Sequence, residues 1–262
     1  MADLDSAHSA AERAAARADV EIVEVSTPGE AAATVDMFSA TWGEGRGADP
    51  STLQAIAHAG NPVLLARRGD AVLGALFSFM GWHGGLHVHS HMTAVAPQLR
   101  SGGVGLALKL AQRAQCLEHG ITEVRWTYDP LIRRNARFNL WKLGADVVAF
   151  HPDFYGVLDD AINGTDRSDR FEVSWRLDAP EVDRAYSGSA RLDAIPTRRD
   201  DLALPDDFES LRRTDPAAAA LLRERSRTRI ADAVGAGSSV RFTGTGYVFD
   251  RADGADDEEE TR

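Results

Sequence analysis

Three histidines alternate along one predicted strand, and their side chains are well suited to proton transfer. His87, His89 and His91 occupy every second position of the segment HVHSHMTAV. Alternate residues of a strand point to the same face, so the three rings are expected on one side. With a reference pKa near ~6.5, an imidazole there can take up a proton at neutral pH. The alternative is that the histidines line a polar cavity without titrating during a reaction.

The same spacing raises the question of a metal site. Two positions on one face of a strand can supply two ligands, but a third from the same strand rarely completes a tetrahedron. No carboxylate lies near this segment in the sequence. The sequence therefore predicts no metal.

A glycine-bearing turn follows the histidine strand and opens a helix. Pro97 ends the strand, and after the turn RSGGVG at 100–105 apolar residues recur at mostly helical spacings as far as His119. Such a turn directs unpaired backbone N–H groups and the positive end of the helix dipole at one point, where a phosphate can bind. Gly103 and Gly105 let an anion approach the backbone closely. The alternative is a turn that only joins two elements.

The spacing of the turn excludes two common phosphate-binding motifs. The sequence contains no GxxxxGK[ST] string, and GxGxxG fails because Leu108 stands three positions after Gly105. The pattern RxxGxG does fit, with Arg100, Gly103 and Gly105.

Together with Val95-Ala96-Pro97, this pattern resembles the signature of the GNAT superfamily of acyl-CoA-dependent N-acyltransferases, which is V-x-P followed by [QR]-x-x-G-x-[GA] at the start of a helix. The resemblance implies that the backbone amides of the turn bind the pyrophosphate of coenzyme A. The coenzyme-binding residues implied in this region are Ala94, Val95, Arg100, Ser101, Gly102, Gly103, Val104 and Gly105.

The resemblance also implies a role for His91. Many GNAT enzymes carry a glutamate four residues before the motif valine, and His91 stands at that position. Acylation of an amine by a thioester requires the neutral amine, so His91 is the implied base, with His89 on the same face to relay or position. For the general acid, Tyr155 lies in a loop that can reach the site. Tyr128, at the end of the preceding predicted strand, is its rival.

A second motif lies further along the chain. The segment Ala136–Gly144, ARFNLWKLG, resembles the family's AxxLYEKLG element beside the coenzyme. The tyrosine frequent in the family falls on Leu140, so the usual general acid is absent from its customary place. The usual asparagine position falls on Arg133, with Asn135 displaced by two. Asn135 therefore either contacts the coenzyme or caps the helix.

The order of the predicted elements agrees with this resemblance. Strands are predicted over 21–25, 62–67, 71–82, 87–95, 122–129, 145–150 and 171–177. Helices are predicted over 28–42, after 49–50, over 106–119 and over 135–143. GNAT proteins open with a strand, one or two helices and three antiparallel strands, as here. The implied fold class is α+β, an α/β sandwich with a mixed, mostly antiparallel central sheet flanked by helices.

The predicted organisation has three parts. Residues 1–19 are rich in alanine and charge and are predicted to form a flexible arm outside the core. The GNAT domain covers 20–178, and 179–262 form a C-terminal extension with a helix over 206–234, a strand over 240–249 and an acidic tail. The extension resembles that of a poorly characterised GNAT subgroup. It is expected to cover the acceptor pocket, to build a dimer contact or to add only a packing layer.

Composition limits the partners. A net charge of -11 argues against nucleic-acid binding, which needs a basic surface. The single cysteine, Cys116, excludes an internal disulfide and is predicted to be a buried small hydrophobe. Neither a signal peptide nor an apolar run of about 18 residues occurs, so the sequence predicts a cytoplasmic protein without a membrane partner.

The sequence thus predicts an acyl-CoA-dependent N-acyltransferase, most simply an N-acetyltransferase, acting on a small-molecule amine or amino acid. Acyl-CoA is the co-substrate, and a homodimer is compatible with the extension. One alternative is a non-catalytic coenzyme-A-binding sensor or scaffold, favoured by the missing tyrosine. Another is an interaction protein in which the extension is the working part.

Overall fold

The computed structural model describes residues 4–45, 47–99, 102–156, 166–180, 182, 186 and 199–251. The helices are α1 Leu4–Ala18, α2 Pro28–Trp42, α3 Pro50–His58, α4 Val104–Glu118, α5 Arg133–Ala136, α6 Phe208–Thr214 and α7 Pro216–Gly235. The strands are β1 Glu21–Glu24, β2 Val63–Arg68, β3 Ala71–Gly81, β4 His87–Val95, β5 Glu123–Tyr128, β6 Asp146–His151, β7 Arg170–Arg176, β8 Leu202–Ala203, β9 Ser239–Phe242 and β10 Gly246–Asp250. Within the described ranges, no helix combines the length and apolar character needed to cross a membrane.

The strands form two sheets. Seven of them are hydrogen-bonded in the order β1-β2-β3-β4-β5-β7-β6. From β1 to β4 the neighbours are antiparallel, whereas β4 and β5 are parallel. The other sheet has the order β8-β10-β9 and is antiparallel. The predicted mixed, mostly antiparallel sheet with flanking helices is confirmed.

The chain has two compact units. The first contains the described residues of 1–126 and 174–192, and the second those of 127–158, 165–173 and 193–262. The predicted extension does not form a unit of its own, because its residues from 199 onward group with 127–156.

Alternate residues of β2 and β3 pack on opposite faces of the sheet, which gives the first unit two hydrophobic cores. One core lies against α2 and α3 and contains Phe38, Leu53, Leu65, Phe77 and Met92. The other lies against α1 and α4 and contains Ala18, Leu64, Leu76, Val104 and Leu108. Burial of each large side chain contributes roughly 1.5–3 kcal/mol to folding, so both helical layers are held on the sheet.

Helix α1 corrects the prediction of a flexible arm. Its buried residues are Ala7, Ala10, Ala14 and Ala18. They recur every three or four positions and pack against α4, which small side chains can approach closely. Arg68 donates a hydrogen bond of 3.2 Å to the Ala18 carbonyl at the end of the helix. The low bulk of alanine suggested an arm, but its spacing builds a continuous contact stripe, so the described residues 4–18 belong to the core.

The C-terminal region also differs from the prediction in detail. The helix predicted over 206–234 is divided into α6 and α7 at Pro216, which has no N–H and fits the first position of a helix. Asp215 caps α7 by accepting from the Ala218 amide at 3.0 Å. The strand predicted over 240–249 is the hairpin β9–β10, which turns at Gly244 with φ of 98°.

Candidate active site

Strand β4 separates from β5 shortly after it begins. The β4–β5 ladder of the described residues consists of the pairs Val88 with Val124 and His89 with Arg125. On its other side β4 stays paired with β3 as far as Val95. The segment from His91 to Val95 therefore has no ladder partner on the β5 side, and its backbone donors and acceptors need partners of another kind.

A β-bulge lies at the start of this separated segment. On β3, Phe77 pairs with Met92 and the next residue, Ser78, pairs with Ser90. His91 is thus the additional residue on β4. The bulge shifts the alternation of side chains by one position, so a simple count of odd and even residues fails beyond it.

The packing on each side of β4 shows this reversal. Ser90 faces α4, where Lys109 reaches its hydroxyl, whereas Met92 faces the core against α2 and α3. His91 lies on the same side as Met92, because its ring contacts Phe77 of that core. The bulge thus places the imidazole of His91 at the edge of the α2 and α3 layer.

The rings of His89 and His91 lie side by side, with centroids 5.9 Å apart. Their centroids are 5.2 Å and 5.9 Å from that of Phe79. These surroundings withdraw the imidazole from water, which lowers the pKa of His91, although the residue as a whole is still exposed. His91 is therefore neutral at physiological pH and can accept a proton. The predicted face shared by His89 and His91 is present.

His87 has a different surrounding from the other two histidines. It is buried, and its Nδ1 lies 2.8 Å from the carbonyl oxygen of Gly85. Its ring covers Gly81, its partner across the hairpin, where a Cβ would lie 2.6 Å from Nε2. His87 therefore packs the β3–β4 hairpin. Within the described part of the chain, no three His, Cys, Asp or Glu side chains are grouped as metal ligands.

The glycine turn is described in part. Arg100 and Ser101 lie outside the described residues. Gly103 is the N-cap of α4, and its φ of 95° and ψ of -14° are left-handed, a conformation that favours glycine. Among the described residues no side chain makes the N-cap hydrogen bond of α4, so the first-turn amides of Val104 and Gly105 lack a cap partner at the positive end of the helix dipole.

Ala94 and Val95 join β4 to this turn. The side chain of Ala94 is buried in the core against α2 and α3, and that of Val95 packs on the core against α4. Their side chains are thus committed to packing. A ligand on the separated edge would meet their backbone groups.

Asn135 does not cap the helix that contains it. Helix α5 begins at Arg133, its N-cap is Ile132, and no side chain makes the cap hydrogen bond. The Asn135 amide donates to the Ile132 carbonyl at 2.9 Å, inside the first turn. The capping alternative is wrong because the helix starts two residues earlier than predicted. Contact with the coenzyme stays a prediction, and α5 continues as a π-helical segment, Arg137–Lys142.

The two candidate acids have different surroundings within the second unit. Tyr128 is buried, with its hydroxyl 3.3 Å from that of Tyr247, and burial raises its pKa, which makes it a poor proton donor. Tyr155 is exposed, and its hydroxyl lies 3.2 Å from Oγ1 of Thr127. Accessibility therefore favours Tyr155 over Tyr128.

Sequence reasoning missed a buried polar cluster beneath β4. Lys109 Nζ donates to Oγ of Ser90 at 2.7 Å and to Oε1 of Gln112 at 3.2 Å. It also lies 4.1 Å from the ring centroid of Trp126, so the three N–H groups of an ammonium have three acceptors. Burial lowers the pKa of Lys109 to about 7. The visible signal was a lysine inside the apolar run of a predicted helix.

No protein-family model and no curated protein matches the sequence. The fold is similar to yncA from Salmonella typhimurium, solved with its cofactor acetyl-CoA, with 19% identity, a TM-score of 0.48, and 61% of this chain and 95% of that one covered. Arabidopsis thaliana Naa50 in complex with a bisubstrate analogue has 19% identity and a TM-score of 0.48, over 60% of this chain and 97% of that one. A protein assigned to the GNAT family from Desulfovibrio desulfuricans has 16% identity and a TM-score of 0.47, over 60% and 99%. At these identities the similarity concerns the fold alone.

Proposed function

We propose that this protein is a GNAT-type, acyl-CoA-dependent N-acyltransferase that acylates a small-molecule amine or an amino acid. The observation that carries the proposal is the order of three structural features along β4 and α4. His91 stands at the bulge, the separated edge of β4 follows, and the uncapped start of α4 at Gly103 comes last. This order matches an extended acyl-CoA, whose thioester would lie at the base and whose pyrophosphate would lie at the anion site.

The coenzyme would bind through backbone groups. The first-turn amides of α4 and the helix dipole bind the pyrophosphate, and the left-handed Gly103 sets the turn that begins the helix. The separated edge of β4 then pairs with the amide groups of the pantetheine arm, as an added strand would. Val95 lies four residue steps along the strand from His91, which corresponds to about 13 Å toward the base.

His91 would supply the base. Its neutral imidazole takes a proton from the acceptor ammonium, directly or through a water, and the amine lone pair attacks the thioester carbonyl. The C–N bond forms, the C–S bond breaks, and the coenzyme leaves as a thiolate that takes a proton from an acid. The new amide nitrogen gives up its second proton, which restores that acid. His89 is proposed to orient the water or the base, and Tyr155 to donate that proton. Arg100, Ser101 and Asn135 are further proposed coenzyme contacts.

Two measurements test this function. Coenzyme A at one hundred times its Kd should stabilise the folded protein by about 2.7 kcal/mol, seen as a raised Tm. Release of free thiol from acyl-CoA should then depend on an amine, in a panel that includes amino acids, small amines and a peptide N-terminus. Stabilisation without thiol release in any pairing would favour the non-catalytic sensor. Absence of stabilisation would reject both readings and leave the interaction protein. A homodimer, a cytoplasmic location and the lack of a metal remain predictions of the sequence.

A further inference from the structure

Helix α7 buries charge where a packed helix normally buries apolar side chains. Its buried residues are Ala219, Arg223, Ser226 and Ile230. The side chain of Arg223 is 1% exposed, and Arg227 follows one turn later with its side chain 15% exposed. The helix therefore presents two guanidinium groups to the interior of the second unit.

Arg223 binds the end of β5. Its two terminal nitrogens each donate to one oxygen of Asp129 at 2.7 Å, and one of them also donates to Asp166 at 2.7 Å. Burial alone would raise the pKa of Asp129, but the attraction of Arg223 outweighs it and lowers the pKa. The pair is thus charged on both sides and anchors α7.

Arg227 binds two acidic residues from different segments. It donates to Asp153 at 2.9 Å and 3.2 Å and to Asp169 at 3.0 Å. Asp153 begins the segment Asp153–Gly156, called here the Tyr155 loop. Arg227 therefore joins this loop to the residues that precede β7.

The Tyr155 loop depends on that junction. The amides of Asp153, Phe154 and Tyr155 donate to Ser168 and Asp169, at 3.1, 3.0 and 2.9 Å in order. Asp153 itself has a φ of 50°, a left-handed conformation that Asp and Asn adopt more readily than other side-chain-bearing residues. Hydrogen bonds from Arg167, and then those from Arg227, hold the pKa of Asp153 well below its usual range.

The phenol of Tyr155 is placed by this loop. Its hydroxyl lies 3.2 Å from Oγ1 of Thr127, and the guanidinium of Arg170 lies 5.5 Å from its ring centroid. The ring also packs edge-on against that of Phe154, with centroids 4.7 Å apart, so the loop and its own side chains fix the direction of the phenol. A change in the loop would move the hydroxyl without disturbing a packed core.

We propose that Arg227 is a positioning residue that fixes the Tyr155 loop, and that this is a working role of the C-terminal region. The inference rests on the proposed function, in which Tyr155 donates a proton to the departing thiolate. It gives the extension a part in the reaction that neither a packing layer nor a dimer contact would have.

Amide hydrogen exchange tests the positioning independently of turnover. Arg227→Gln should accelerate exchange at the amides of Asp153, Phe154 and Tyr155 by about tenfold or more. Arg225→Gln removes the same charge from an exposed position of the same helix and should leave exchange there unchanged. Asp153→Asn, which keeps a residue tolerant of left-handed backbone, should reproduce the acceleration. Equal exchange in the wild type and Arg227→Gln would overturn the proposal.

Kinetics test whether the positioning serves the reaction. Arg227→Gln should lower kcat about tenfold with the affinity for acyl-CoA unchanged. Arg227→Lys should recover part of the loss, because lysine restores the positive charge but not the two-pronged hydrogen bonding of a guanidinium. In a Tyr155→Phe background, Arg227→Gln should cause no further loss, since both changes remove the same proton donor. An equal loss in both backgrounds would overturn the positioning role. If the wild-type protein releases no thiol with any amine, the proposed function is rejected. The hydrogen-exchange result then still decides whether Arg227 positions the Tyr155 loop.

Discussion

The ammonium nitrogen of Lys109 lies 2.7 Å from the hydroxyl oxygen of Ser90, one residue before the bulge that carries His91. The interior of the first unit thus holds a titratable group bonded to the residue next to the proposed base. Its acceptors are a hydroxyl, an amide oxygen and an aromatic ring. None of these acceptors carries a full negative charge, so the fold bears much of the cost of burying the ammonium.

This burial makes stability depend on pH. The pKa of Lys109 is about 7 in the folded protein and 10.5 when unperturbed. Between these values unfolding takes up a proton. The lysine therefore destabilises the fold most below pH 7, and this destabilisation decreases as the pH rises toward 10.5. Relative to Lys109→Met, the wild type should gain about 2 to 3 kcal/mol between pH 6 and pH 9. Urea unfolding of both proteins at each pH measures this, and a constant difference would contradict it.

The base can be tested at His91. His91→Ala should lower kcat/KM by about 10²-fold or more with coenzyme affinity preserved. Since the pKa of His91 is lowered, the wild-type rate should fall on acidification only below the usual imidazole range. His91→Gln keeps hydrogen bonding but cannot titrate, so it should match alanine and lose the acidic limb. A glutamine variant with the full rate and the same pH profile would move the role to His89 or to a water relay.

The proposed binding of coenzyme by the glycine turn can be tested at the second residue of α4. Gly105→Val adds a branched side chain beside the proposed pyrophosphate and should weaken coenzyme A binding at least tenfold in calorimetry. Gly29→Val is the matched control, because Gly29 is the second residue of α2 and a Cβ there has no neighbour within 4 Å. Gly103 is less suitable, since its φ of 95° would strain any side chain. Equal affinity in both variants would show that the turn is structural.

The buried pair at the end of β5 should dominate the stability of the second unit. Asp129→Asn leaves Arg223 buried without its bidentate partner and should cost roughly 3–5 kcal/mol in the free energy of unfolding. The double variant with Arg223→Met should be closer to the wild type, because no uncompensated charge is left. Chemical denaturation of both single variants and the double variant gives a double-mutant cycle. If the losses in unfolding free energy of the two single variants simply add in the double variant, the two residues are not coupled.

The order of strands and helices was predictable from the sequence because the signals for these elements are local. Strand β4 and helix α4 lie close to their predicted positions, since hydrophobic period and turn chemistry act over a few residues. The bulge at His91 was not predictable, because it depends on which residues of β3 lie opposite. Arg223 and Asp129 are equally hidden in the sequence, since 94 residues separate them and neither belongs to a motif. Lys109 was visible, but only the structure shows that Ser90 and Trp126 satisfy it.

Helix α1 ends beside the glycine turn, where a Cβ on Gly103 would lie 3.5 Å from that of Ala18. The N-terminal helix therefore packs against the residue that begins α4 as well as against the rest of that helix. A chain shortened to begin at residue 20, the boundary that composition suggests, would lose this contact together with the alanine stripe against α4. Such a chain keeps every proposed catalytic side chain but loses the support behind the turn, so assays of the activity should retain residues 4–19.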